Sequence, residues 1–416
     1  MRGMFVPALV AGLFGWQPGA FAQSELIGLE AFDAQVDVRA SAAGGETGWL
    51  DGGFGKLREG GNDGDTRARL RIAAVDLAWK PQLTWNLSGL VSVTHQHGQS
   101  HDVDINEAFV KFRSGPGKLR VSARAGVFWP PISQEHSGSS WQVTDSITPS
   151  AVNSWVGEEV KVLGAEATVE QEVGEHKLAV AASVFLHNDM SGTLLTYRGW
   201  ALHDLRVTMN GDLPLPPLSS AAAPYQDQIT SPFWEVDDKV GYYARADWRL
   251  PMGIDVNLFR YDNRGDRLSS RAMQTSWRTR FWNAGITAAL DDRTVAKSQV
   301  LWGNTLVGPD TPWGIPADID FLAAYALLSR EIGSGKVTLR ADWFRTDDQS
   351  FVVGESNNDE EGWAAMLAYK RRLHKYADGI IEVLHVSSDR PSRVQLAGIS
   401  ARQDQTIVQS SLRLGF

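Results

Sequence analysis

The 416-residue chain contains no cysteine. Disulfides, thiolate metal sites and cysteine nucleophiles are therefore excluded. A chain of this length can bury enough surface to fold without such staples. Basic charge is also in deficit. Forty Lys and Arg stand against 49 Asp and Glu, a formal net charge of −9. A nucleic-acid partner needs basic stripes, so that class is excluded. Past the N-terminus no stretch approaches the roughly 20 apolar residues of a spanning helix, and the mean hydropathy is negative. If the chain enters hydrocarbon, it must do so as a closed barrel, in which each backbone polar group bonds to a neighbouring strand. No phosphate-cradling glycine loop and no Gly-x-Ser-x-Gly elbow occur, and Ser137 beside His136 does not make a triad. Neither an enzyme nor a cofactor is expected. No blade-length repeat and no Pro-, Gly- or Ser-rich linker divides the chain, so one domain is expected.

The N-terminus reads "MRGMFVPALVAGLFGWQPGAFAQSEL". Arg2, a short apolar run from Phe5 to Phe14 and Ala20-Phe21-Ala22 make the pattern of a secretory signal peptide, residues 1–22. The domain is then 23–416.

Alternation of period two fills that domain. "FDAQVDVRA" sets Phe32, Ala34, Val36 and Val38 against Asp33, Gln35, Asp37 and Arg39. "KLRVSARAGVF" sets Leu119, Val121, Ala123 and Val127 against Lys118, Arg120 and Arg124. Leu178, Val180, Ala182 and Val184 share a face, as do Tyr242, Ala244, Ala246 and Trp248, and Val337, Leu339, Ala341 and Trp343. Two segments slip phase, between Ile72 and Val75 and near Asn283, and a bulge is expected at each. Short turn-type links alternate with longer polar ones at about 42–66, 97–103, 129–157, 188–237, 263–274, 305–317, 348–359 and 390–402. The count is about 16 antiparallel strands, all-β, with short turns at one end and long loops at the other. Sorting loops by length onto two ends is the habit of outer-membrane barrels. Aromatics gather at strand ends. Trp79, Trp85, Trp248, Tyr376 and Phe416 lie near short turns, and Phe128, Trp129, Trp302 and Phe344 near long loops. They predict two interfacial belts.

The chain ends "QSSLRLGF", with Leu412, Leu414 and Phe416 on one face of a last strand. Together with the signal peptide and the alternating strands, this resembles Gram-negative outer-membrane porins. There, a last strand ending in Phe is the assembly signal, here carried by Leu412, Leu414 and Phe416. "INEAFVKF", "RVSARAGVFWPP" and "DEEGWAAMLAYK" resemble the phosphate-selective porin O/P-like group. The resemblance implies a water-filled, trimeric, sixteen-stranded pore in the lipid and lipopolysaccharide of the outer membrane. It would pass small hydrophilic solutes or anions by passive diffusion, with the third outer loop, 129–157, as its constriction.

In that subgroup anion preference comes from inward basic residues. The candidates here are Arg67, Arg69 and Arg71, then Lys118, Arg120 and Arg124, then Arg245 and Arg249, then Arg340. Arg stays charged, and its planar fork matches phosphate and carboxylate. Asp33, Asp37, Glu107, Asp247 and Asp342 share those inward faces, so wall-bracing ion pairs are the competing use. The rival class is a secreted, soluble β-rich binding protein.

Three segments remain. His95, His97 and His101 near Asp102 and Asp104 have metal-ligand types, but they sit at a short outer loop. Asp347, Asp348, Asp359, Glu360 and Glu361 are oxygen ligands without calcium-loop spacing. No metal is expected at either. Trp200 and Leu202 are apolar for an exposed loop, so 188–237 either folds back over the barrel mouth or packs on a neighbouring subunit.

Overall fold

A computed structural model describes residues 26, 28–61, 64–351 and 357–416. The expected signal peptide lies outside these residues. Sixteen strands close into one barrel, each hydrogen-bonded to the next in the chain. They are β1 Phe32–Gly45, β2 Gly64–Trp79, β3 Leu87–Gln96, β4 Asp104–Arg113, β5 Leu119–Phe128, β6 Val162–Val173, β7 His176–Leu186 and β8 Gly241–Leu250. The circuit continues through β9 Ile254–Asp262, β10 Arg278–Asp291, β11 Thr294–Val307, β12 Ala317–Ile332, β13 Gly335–Asp348, β14 Glu360–His374, β15 Ala377–Asp389 and β16 Arg402–Gly415. All neighbours are antiparallel, and β16 closes on β1 from Gln35↔Gly415 to Ala43↔Ile407. Phe416 extends the seam. Its N–H donates to Ala34 O at 2.9 Å, and its O accepts from Ala34 N at 3.3 Å.

The alternation sorts side chains as expected. Leu119, Val121, Leu178, Val180, Leu339 and Leu412 are exposed on the outer face, while Asp37, Arg39, Arg340, Asp342, Gln409 and Arg413 are buried on the inner one. An exposed apolar band is what hydrocarbon requires, and a closed sheet leaves no unpaired edge within it.

One expected bulge is present. Asp37 pairs with Ala74 and Val38 with Ile72, so Ala73 is the extra residue. It lets Leu70, Ile72, Val75 and Leu77 all face outward. The other expected bulge is absent. Around Asn283 the register runs unbroken, and the ladder shifts only between Ala289 and Asp291. The slip has a different cause: Phe281 points inward and is fully buried.

The belts also need correction. Trp79, Trp85, Trp248, Tyr376 and Phe416 are exposed at the short-turn end, and Trp302 is exposed toward the loop end. Phe128, Trp129 and Phe344 are buried instead. Outward aromatics toward the loop end include the cross-strand pairs Trp282↔Trp302 and Trp343↔Trp363.

Inward rings recur beside cross-strand glycines. Phe109 faces Gly126, Phe281 faces Gly303, Phe344 faces Gly362, and Phe185 stands between Gly164 and Gly241. A Cβ on Gly362 would lie 2.4 Å from the Phe344 ring, and one on Gly241 2.5 Å from that of Phe185. The missing side chain lets each ring lie across the neighbouring strand.

Candidate functional site: the lumen and its loop plug

Two outer loops fold into the barrel. The first, 129–161, carries helix α1, Ala151–Glu159, in which every residue is buried. Ser150 caps it by accepting from Asn153 N at 3.2 Å. Wall groups from around the barrel hold this loop. Asp33 on β1 accepts from Ser139 Oγ at 2.6 Å. Glu382 on β15 accepts from the Ile147 and Thr148 N–H groups at 2.6 and 3.0 Å. Asp342 on β13 accepts from Ala151 N at 3.0 Å, at the positive end of α1. Arg413 on β16 donates to Val143 O at 2.6 Å, and Arg340 to Thr148 O at 2.6 Å. Asp145 receives Lys297 and Lys336 at 3.2 and 3.0 Å.

The second loop, 187–240, settles the question posed by Trp200 and Leu202: it folds inward. Helix α2, Thr193–Tyr197, lies against α1, with the Gly192 and Leu194 N–H groups donating to Glu159 at 3.0 and 2.8 Å. Arg198 grips Glu158 with both terminal nitrogens, at 2.5 and 2.7 Å, and His203 bonds the same carboxylate at 2.5 Å. Trp200 N donates to Glu360 on β14 at 3.0 Å, and Leu202 bridges to Leu57 in the first outer loop. Lys56 from that loop forms a buried ion pair with Glu360, beside Arg390 and Arg393. Asp204 pairs with Arg39 and Arg58 at 2.7 and 2.9 Å.

At the height of α1, the interior departs from the expected polar lining. Trp155 packs edge-on against Phe281 at 5.3 Å, and near Phe321 at 5.4 Å. Phe185 stacks on Tyr261 at 5.1 Å, and Tyr261 on Phe281 at 4.7 Å. This apolar cluster continues round the lumen through Phe344, Met366, Leu384 and Ile407 on β13–β16. Between these residues stand the polar, cross-braced groups of β1, β2 and β13–β16. Water-accessible inward groups lie below, toward the short turns. A cleft of about 470 Å³ opens there between Ser137–Ser139 and the β14–β16 wall.

The nine basic candidates do not converge on one ring. Arg340 is fully buried between Asp342, at 2.8 Å, and Glu135, at 3.4 Å. Arg124 pairs with Glu166 at 2.8 Å and covers the Phe128 ring at 4.0 Å. Arg120 bridges Glu170 and Glu172, Arg245 pairs with Asp247, and Arg249 with Asp255. Arg71 meets Glu59 at 3.3 Å, and Arg69 donates to Gly60 O at 2.9 Å. Arg67 is exposed near the loop end of β2, and Lys118 is exposed in the turn before β5. Ion pairing across and along strands is thus their prevailing geometry.

The acidic and histidine segments disperse as well. His95 Nδ1 lies 2.6 Å from Asp102 O, and His101 bonds Ser100 Oγ at 3.2 Å. Glu360 turns inward to Lys56, while Asp348 and Asp359 bind loop backbone. Among the described residues the acidic group that does gather is Asp189, Glu235 and Asp237, with ligand atoms within 4.8 Å of one another. Its members come from both ends of a long loop, so no local spacing announces it.

A closed sixteen-stranded barrel, apolar outside, charged within and entered by its third outer loop, has the architecture of an outer-membrane channel. No family model matches the chain, and no curated relative does. Solved structures match over nearly the whole length. The outer membrane channel DcaP of Acinetobacter baumannii is similar with a TM-score of 0.54 and 11% identity, over 92% of this chain and 97% of that one. The anion-selective porin from Comamonas acidovorans gives 0.51 and 11%, over 92% and 98%. OprB of Pseudomonas putida gives 0.50 and 11%, over 93% and 94%. Identities at this level carry the fold and not the solute.

Proposed function

We propose that the protein is an outer-membrane porin that passes small hydrophilic solutes down their gradient, with loop 129–161 as its constriction. One observation carries this reading: ladders of paired charges face inward, behind an outer face that is apolar. A soluble binding protein has no use for exposed Val180, Leu258, Ile286 and Val408 around its whole girth. Where the loop meets the braced wall, Asp37, Arg340, Glu382 and Arg413 are buried, so solutes pass as the loop shifts away from these grips. Residues 1–22 serve as the export signal, Leu412, Leu414 and Phe416 as the assembly signal, and lipid and lipopolysaccharide as the surroundings. The chain performs no chemistry.

A homotrimer is part of this reading. The outward Ala123, Ala125, Ala167, Ala182 and Ala244 make a shallow concave stretch of wall, suited to close approach of a second barrel. Any anion preference is weak, since most candidate basic residues are neutralised by a neighbour. Among the described residues, Arg67 and Lys118, at opposite rims, are the ones left to bias entry. Planar-bilayer recordings in a salt gradient test all of this. Discrete steps with a small anion-selective reversal potential are expected. Absence of conductance from folded, heat-modifiable protein would overturn the channel, and cation selectivity would overturn the preference.

A further inference from the structure

The outer loops enclose a cavity of about 580 Å³ above the plug, separate from the braced constriction. One of its walls is α2, through Thr196 and Tyr197. The others come from the far part of the same loop, at Tyr225, and from the three loops that follow β9, β11 and β13. The volume suits a compact small molecule.

Its lining points to a chemical class. Tyr197 and Tyr225 supply aromatic faces, and Leu268, Val307 and Pro316 supply apolar ones. Tyr225 is 68% exposed, so most of its ring is open to a ligand. Polar wall groups are hydroxyls and an amide rather than free charges. Thr196 is 2% exposed, and among the described residues its Oγ1 has no hydrogen-bond partner. The oxygen is covered, so a ligand reaches it when the Thr196 side chain turns toward the cavity, and the bond then made removes the cost of an unpaired buried hydroxyl. The two charged side chains in the lining are already engaged. Arg267 holds Asp310 with both terminal nitrogens, at 2.6 and 3.2 Å. Asp348 accepts from Ser350 N and Asn358 N, both at 2.9 Å. Among the described residues, a charged ligand would meet no free counter-charge there.

We infer that this cavity is an extracellular binding site for an uncharged, hydroxyl-bearing ring compound, of one or two sugar-sized rings. Binding stands on the cavity alone; its bearing on solute passage rests on the channel reading. The site reaches the plug directly. Arg390 donates to Thr196 O at 2.6 Å and to Asn358 Oδ1 at 2.9 Å, and it faces Glu360 at 3.7 Å. A ligand against Thr196 therefore lies one residue from the buried cluster that holds the plug to the wall.

The test uses the full chain in detergent, with methyl glucoside, maltose and p-nitrophenyl glucoside as neutral probes. Glucuronate and glucosamine serve as charged counterparts, and calorimetry gives the affinities. At least one neutral probe should bind more tightly than both charged ones. Tyr225→Ala should weaken it about tenfold, by loss of an aromatic face. Thr196→Val should weaken it about two- to tenfold, with no loss of heat stability, since the hydroxyl has no partner to lose. Absence of neutral-probe binding, tighter binding of a charged probe, or indifference to both substitutions would overturn the site. Bilayer conductance measured without probe reports on the channel separately, so failure of either reading is recognisable by itself.

Discussion

The N–H of Ala151, first residue of the lumen helix, donates to the carboxylate of Asp342 on the opposite wall at 3.0 Å. The same carboxylate holds Arg340 Nε at 2.8 Å, and Arg340 in turn holds Thr148 O. Wall and loop thus share one buried charge. Asp342→Asn keeps the shape and removes the charge. Charge-assisted hydrogen bonds of this kind are worth about 1.5–3 kcal/mol each. The loop should detach more often, and bilayer recordings should show larger or noisier currents. Unchanged currents would mean that the loop is held elsewhere.

Two outward valines share one row of the sheet. Val121 on β5 and Val180 on β7 both pair with Val169 on β6. Arg on the lipid face costs about 2–4 kcal/mol at mid-membrane and less near the rim. Val121→Arg and Val180→Arg should therefore both lower the yield of heat-resistant barrel in outer membranes. Normal assembly of either variant, read on a gel of boiled and unboiled samples, would overturn the outward assignment of that strand.

The two inward loops respond to pH in opposite senses at adjacent residues. Burial would raise Glu158, but Arg198 and His203 hold it at about 2. Its contribution is present above the ordinary glutamate range and fades only as pH falls toward 2. Burial pushes Glu159 up to about 7, despite the Leu194 N–H and the Trp155 indole that it accepts from. Burial, with Glu235 and Asp237 alongside, pushes Asp189 up to about 8. These two keep protons that the unfolded chain would release, so stability falls as pH rises from the ordinary carboxylate range through 7 to 8. The plug should loosen over that window. Protease cleavage within 129–161 and 187–240 should be faster at pH 8 than at pH 5. Better protection at pH 8 would contradict this.

Phe416 is 72% exposed, stacks near Tyr376 at 6.1 Å and is tied to Ala34 through its backbone. Its deletion removes the last hydrogen bonds of the seam and a ring at the interfacial belt. Membrane-assembled protein should fall well below secreted protein. Equal membrane levels of both forms would refute the assignment.

The wall of the barrel was legible because lipid and lumen impose opposite demands on successive residues. Val180 and Ser183, or Leu339 and Arg340, declare their faces by chemistry. The phase slip at Ile72 and Val75 was legible for the same reason, and Ala73 absorbs it. Phe281 and Phe344 misled, because an inward aromatic looks like an outward one until its partner is known. The partner is a glycine on the next strand, a pairing visible only once register is fixed. The loops carried least information. Their anchors are single side chains, such as Glu382 and Glu360, scattered over the far wall, and no period marks them. Trp200 and Leu202 were the remaining signal, since apolar residues in a long polar loop need cover. Pairing of the basic candidates was legible only as a competing use, because sequence places Arg and Glu on one face without giving the distance between them.

The anchoring of loop 129–161 sets an order of events. Its grips on Glu382, Gln409 and Arg413 belong to the final two strands, more than 200 residues later in the chain. These grips cannot form before the last two strands are in place, whereas Asp33 on the first strand is available from the start. Docking of the loop therefore begins early and finishes only with the end of the sheet. The final strand thus does two jobs at once: it seals the wall against the bilayer and clamps what lies inside.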